Sequence, residues 1–132
     1  MFYLLKIENA RMNVPEPEFL EAKAGEEITL GEALVLTDGA LTRCGATAVP
    51  TYIAMGAKSA GDENRTVAVC RVESNQVWEV PVTAAPSALK VGSKVTLHTD
   101  GLQVTVTTAS GVVTVVDLNG ATAAGDKIIV RI

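Results

Sequence analysis

Histidine, cysteine, aromatic side chains and clustered basic charge are all scarce in this chain of 132 residues. The single histidine, His98, cannot build a histidine-rich metal site, and it could serve a catalytic triad only beside a positioned nucleophile and carboxylate. No Ser or Cys stands in a nucleophile-elbow pattern. The two cysteines, Cys44 and Cys70, have no Cys-x-x-Cys partners, which argues against zinc. They read as small buried hydrophobes, the alternative being a disulfide or a reactive thiol. Neither a GxGxxG fingerprint nor a P-loop is present. The acidic pairs Glu26-Glu27 and Asp62-Glu63 fall in turn-like stretches, without the regular spacing of an EF-hand loop, and read as solvated turns. The expectation is a protein that is not an enzyme, with no catalytic residues, no cofactor and no metal.

The charge balance is equally restrictive. Eleven basic against fifteen acidic residues give a net charge of −4, and the basic residues are scattered singly. A nucleic-acid partner or an anionic membrane surface would call for a basic patch, so neither is expected. No apolar run approaches the ~20 residues of a membrane-spanning helix. The opening Met1-Phe-Tyr-Leu-Leu-Lys6 lacks a basic region, a long apolar core and a small-residue cleavage site. It does not read as a secretory signal, and a reducing compartment is expected.

What the chain has in quantity is β-branched residues and turn pairs. Val, Leu, Ile and Ala must form the core, because Phe2, Tyr3, Phe19, Tyr52 and Trp78 are the whole aromatic set. A phrase also recurs. Gly31-Glu-Ala-Leu-Val-Leu-Thr-Asp38-Gly39 returns as Gly92-Ser-Lys-Val-Thr-Leu-His-Thr-Asp100-Gly101. Each copy is followed by Ala-Gly-Asp, at 60–62 and 124–126, and then by an alternating apolar run. An Asp-Gly pair between apolar runs signals a hairpin, since both central turn residues need positive φ. Ser110-Gly111 and Asn119-Gly120 add two more turn signals, and the spacing of about ten residues is that of a sandwich or barrel. The fold class is therefore all-β: a compact β-barrel or sandwich of pseudo-repeated hairpin units. Ala84 to Lys90 is the only stretch open to a helical turn, and it reads equally as a loop leading into Val91-Gly92.

Residues 1–23 read differently, as an extended N-terminal arm or edge strand ahead of a single barrel-like domain over 24–132. Pro15 and Pro17 hold the backbone extended and withhold ladder donors. Phe2 and Tyr3 at one end of this segment, and Phe19 and Leu20 at the other, are candidate anchors, with Pro15 and Pro17 between them. The arm either lies across a partner or packs on its own barrel. Trp78, in Gln76-Val-Trp-Glu-Val-Pro81, is a further candidate interface residue, balanced against a role as the main core plug.

The Ala24-Gly25-Glu-Glu-Ile-Thr-Leu-Gly31 opening, the Gln76 to Pro81 strand, the Leu89-Lys-Val-Gly92 to Asp100-Gly101 phrase and the Ile-Val-Arg-Ile132 terminus together resemble the small all-β head decoration, or cement, proteins of tailed bacteriophages. The resemblance implies a structural protein on the virion capsid surface, made in the bacterial cytoplasm. Its partner would be the major capsid protein, its own assembly a homo-oligomer with a trimer favoured, and Phe2 to Leu20 its capsid-contacting arm. No catalytic or ligand residue is carried over. The alternative is a small-ligand or peptide-binding β-barrel with Trp78 and Tyr52 lining a pocket.

Overall fold

Short runs of alternating apolar residues, broken by Gly, Asn and Asp, satisfy their backbone groups most readily by antiparallel pairing between neighbouring runs. The computed structural model describes residues 1–132. It contains ten strands and no helix: β1 (Tyr3–Ile7), β2 (Pro17–Glu21), β3 (Ala33–Thr37), β4 (Ala40–Arg43), β5 (Tyr52–Ala54), β6 (Thr66–Arg71), β7 (Gln76–Pro81), β8 (Lys94–Val95), β9 (Val113–Asp117) and β10 (Lys127–Arg131). They form two antiparallel five-stranded sheets, ordered β1-β7-β10-β9-β8 and β2-β6-β5-β3-β4. The all-β expectation holds, in its sandwich-like form rather than as a closed barrel.

The repeat is present in the pairing. The second sheet curls until Ala22, just past β2, bridges Leu41 of β4, with the Lys23 N–H donating to the Leu41 carbonyl at 2.9 Å. The first sheet curls in the same way. Val82, just past β7, bridges Val104, and the Thr83 N–H donates to the Val104 carbonyl at 3.0 Å. Both of these bridges are parallel. Other bonds recur in step: Gly31 N–H to Ala54 and Gly92 N–H to Val115, Ala54 N–H to Glu32 and Val115 N–H to Ser93, Thr51 N–H to Leu34 and Val112 N–H to Val95. Thus β2, β6, β5 and β3 correspond to β7, β10, β9 and β8. Each half is one curled unit. β1 is the addition, paired to the outer edge of β7 with Tyr3 opposite Glu79.

A cluster of 16 buried residues joins the two units. It takes Trp78, Val80, Val115, Ile128 and Val130 from the first sheet, and Ala33, Ile53 and Cys70 from the second. A cluster of eight, including Leu34, Leu41, Tyr52 and Val69, fills the inside of the second unit. Backbone bonds also cross the seam: Phe2 N–H to Gly31 at 2.9 Å, Ala33 N–H to Gly101 at 2.8 Å and Leu97 N–H to Ala46 at 3.0 Å.

The structure decides two open readings and changes one expectation. Residues 13–20 are not a detached arm, because Pro17 to Glu21 form β2 and pair with β6 from Pro17↔Cys70 to Glu21↔Thr66. The Ala22 N–H donates to the Arg65 carbonyl, so by alternation Leu20 and Glu18 face β6 while Phe19 and Pro17 face outward. Pro17 is tolerated because its missing donor falls on the open side. Secondly, Ala84 to Lys90 takes the loop rather than the helical turn, with Leu89 N–H closing a turn onto Pro86. Thirdly, the two Asp-Gly pairs are not equivalent. Asp38 and Gly39 both have positive φ, 52° and 79°, and make the two-residue hairpin between Thr37 and Ala40. At the second site only Gly101 has positive φ, and the chain takes a wider turn in which the His98 N–H donates to the Gln103 carbonyl. That turn packs on the other unit: a side chain on Gly101 would stand 3.0 Å from Glu32 Cγ and 3.1 Å from the Ala33 carbonyl.

Gly39 and Gly101 therefore make a matched pair. Nothing lies within 4 Å of a Cβ built on Gly39. Gly39→Ala should cost about 1–2 kcal/mol, the left-handed penalty alone. Gly101→Ala should cost about twice as much, because the turn must also lift off Glu32 and Ala33. Denaturant unfolding of the two variants checks the order, and equal costs would contradict the packing described for the Asp100-Gly101 turn.

Candidate functional site: an apolar face beside the N-terminal strand

Two places gather chemically useful side chains. The first is the ionisable cluster at the seam. Glu32 is fully buried, its Oε2 accepting from the Thr29 N–H at 2.8 Å and its Oε1 from Arg43 Nε at 2.7 Å. In the other unit Ser93 Oγ accepts from the Lys90 N–H at 3.0 Å, so Glu32 fills the turn-capping position of a serine and reaches Arg43 besides. The hydrogen bond to Glu32 raises the Arg43 pKa above its ordinary value, against the opposing effect of burial. Glu26 Oε1 accepts from the Arg43 N–H at 3.1 Å. Asp100 accepts from the Leu102 N–H at 2.8 Å and from Gln103 Nε2 at 2.9 Å. His98 Nδ1 lies 3.1 Å from Asp100 Oδ2, close enough for an electrostatic contact but not aligned as a hydrogen bond. Every carboxylate here is tied to a turn or an ion pair. These bonds shape the turns that meet at the seam, where the Asp100 charge also favours the Arg43 cation, and no group of three or more His, Cys, Asp or Glu side chains is placed to hold a metal ion.

The cysteines take their bland reading. Both are free and buried in the large cluster. Burial pushes the Cys44 thiol up to about 11 and raises that of Cys70 as well. Neither is set up as a thiolate nucleophile.

The second place is a cleft of about 410 Å³ between β1 and the second sheet, ten of whose 13 lining residues are hydrophobic. Its lining includes Tyr3 and Leu4 of β1, Pro15 of the β1–β2 connection, Ile53 and Met55 at β5, and Trp78. A separate groove on the other side of Pro15 and Cys70 is polar, with Glu16, Glu18, Arg71 and Gln76 among its residues. The connection therefore divides an apolar opening from a charged one.

The seven residues singled out in the sequence are not all surface groups. Phe2 and Trp78 are buried and meet edge to face, with ring centroids 6.5 Å apart. They hold β1 onto the core, and both also line the cleft. Tyr52 is buried in the second unit with the Arg71 guanidinium over its ring at 5.2 Å, and it does not line the cleft. Leu20 is half-buried against the second cluster. Tyr3 and Phe19 are 60% and 68% exposed, Pro17 is exposed, and Pro15 is half-buried in the cleft wall. Phe19 stands opposite Ala68, whose carbonyl accepts from the Met55 N–H, so its ring shares the sheet face that floors the cleft. Met1, Leu30 and Met55 complete this face and were not singled out from the sequence. They lie 25 or more positions apart along the chain, and no local pattern links them.

Asp100 supplies a pH test of the seam. Burial raises its pKa, but the hydrogen bonds from Gln103 and Leu102, together with the nearby His98, outweigh that, and the net shift is downward from 3.8. Folding therefore favours the ionised form. Its contribution is complete above about pH 4 and is lost as pH falls through the lowered folded value. The wild-type unfolding midpoint should drop in that acid window, and Asp100→Asn should be less stable at neutral pH with a flatter acid limb. An unchanged acid limb would mean that ionised Asp100 does not stabilise the turn at the seam.

No protein-family model matches this chain, and no curated protein matches it.

Proposed function

We propose that this chain is a structural binding protein that decorates the outside of a tailed-phage capsid, docking through the face beside β1 and β2 and reinforcing contacts between capsomers. One observation carries the reading. Six of the ten exposed large hydrophobics, Met1, Tyr3, Val14, Phe19, Leu30 and Met55, gather around the N-terminal segment. An apolar patch rimmed by polar residues is the usual mark of a protein contact. The capsid as the larger partner rests on the sequence resemblance, as do the major capsid protein and a homo-oligomer as companions. The physics suits the role. A decoration protein works through rigidity and repetition, and many copies on one shell turn modest single-site affinity into strong total reinforcement.

A second reading, a peptide-binding module without catalytic activity, is favoured by the cleft itself. Its volume and apolar lining are those of a site for a small apolar group or a short side chain.

The separating experiment is to purify DNA-filled particles from the strain that encodes the chain and to quantify it by mass spectrometry. Decoration predicts copy numbers comparable to the major shell protein. Its absence from intact particles would overturn the decoration reading and leave the peptide-binding one.

A further inference from the structure

The nitrogen of the residue that follows an asparagine can attack the side-chain amide carbon and close a five-membered ring. Hydrogen bonds that hold either group oppose the attack, and so does a side chain on the following residue. Glycine offers no such crowding.

Four of the five asparagines are restrained in this way. Asn13 Oδ1 accepts from the Ile7 N–H at 2.9 Å, and Asn64 Oδ1 from the Thr66 N–H at 3.0 Å. Asn75 Nδ2 donates to the Glu8 carbonyl at 3.3 Å, and the next nitrogen, on Gln76, donates to the Glu73 carbonyl at 3.1 Å. After Asn9, the Ala10 N–H donates to the Ile7 carbonyl at 3.3 Å. Each of the four is followed by a residue with a side chain: Ala10, Val14, Arg65 and Gln76.

Asn119 differs on every count. Neither its side-chain amide nor the Gly120 N–H takes part in a hydrogen bond within the chain. Both residues are exposed, and nothing lies within 4 Å of a Cβ built on Gly120. Their φ angles, 51° and 71°, are those of a two-residue left-handed turn. Ala121 N–H closes it onto the Leu118 carbonyl at 2.9 Å, and Asn119 N–H donates to Asp117 Oδ1 at 2.7 Å. Ring closure must swing the Asn119 backbone out of this conformation, and those two bonds fasten it. At Asp100-Gly101, by contrast, the Gly101 N–H donates to the His98 carbonyl at 3.0 Å, and the Asp100 carboxylate is held by Leu102 and Gln103.

We propose that Asn119 is a site of spontaneous covalent modification, with water as co-reactant, which turns a neutral amide into a carboxylate. The Gly120 nitrogen bonds to Asn119 Cγ and gives up its proton. The Cγ–Nδ2 bond breaks, and Nδ2 leaves as ammonia with that proton. Water then opens the succinimide ring at either carbonyl. One opening gives aspartate, the other isoaspartate, whose main chain runs through Cγ. No oxidation or reduction takes place. The product adds one negative charge to a net of −4. That charge joins a polar hollow lined by Glu79, Asp126 and Lys127. Isoaspartate also lengthens a turn whose flanks, Leu118 and Ala121, pack on the large apolar cluster. The reaction needs neither a capsid nor a peptide, so its outcome is separate from the function proposed above.

The test is to age the full chain in mildly alkaline heavy-oxygen water, folded and urea-unfolded side by side, and to follow each asparagine by peptide mass spectrometry. The folded chain should convert Asn119 at least about tenfold faster than Asn9, Asn13, Asn64 or Asn75, a factor equivalent to about 1.4 kcal/mol of barrier. The product should be a mixture of aspartate and isoaspartate that carries heavy oxygen. Isoelectric focusing should show a growing acidic band, absent from Asn119→Gly, which keeps the left-handed turn and removes the amide. Conversion of Asn119 in the unfolded chain alone, earlier conversion of another asparagine, or aspartate formed without isoaspartate would each overturn the proposal.

Discussion

Burial of one apolar sheet face against another is the constraint on which this molecule depends. There is no disulfide and no helix, so the seam between the two curled units must hold them together. Each fully buried Val, Leu or Ile contributes about 1.5–3 kcal/mol, whereas each backbone bond crossing the seam contributes about 0.5–1.5 kcal/mol. The apolar cluster therefore supplies most of the adhesion, and the bonds at Gly31, Ala33 and Ala46 set the alignment. Phe2 and Trp78 make the same point at the N-terminus, where an aromatic contact seats β1 and turns a potential arm into a wall of the cleft.

Two units with one pairing plan leave one asymmetry. The edge of β7 is filled by a strand from the same chain, whereas at the equivalent edge of β2 Phe19 has no strand opposite it. The exposed apolar side chains collect on that side. Rigidity and the exposed apolar face thus share one origin: the residues that close the first unit at β1 also build the cleft beside the outer strand of the second.

Much of the architecture was legible in the sequence because turn chemistry is local. Asp38-Gly39 and Asn119-Gly120 both take positive φ at both positions, as such pairs require, and β6, β7 and β10 follow their alternation. The second Asp-Gly pair was misleading because its geometry is set by a distant contact with Glu32 and Ala33, which no local pattern reveals. The strand at Pro17 was obscured by its proline, since a missing donor argues against a sheet unless it is known which side of the strand faces out. The site was less legible still. Tyr3 and Phe19 could be named as exposed anchors, but Leu30 and Met55 join them only through the curl of the second sheet. Trp78 and Phe2 were ambiguous for a plain reason: an aromatic residue in a chain poor in aromatics suits a core and an interface equally.

The most direct test of the central claim, two units alike in plan and unlike at their outer edges, is amide hydrogen exchange followed residue by residue in dilute solution. The account predicts slow exchange at Glu79, whose amide β1 covers, and fast exchange at the matching Phe19 and at Glu21. Equal protection of Phe19 and Glu79 at concentrations where the chain is monomeric would mean that the β2 edge is already covered, and would contradict the account.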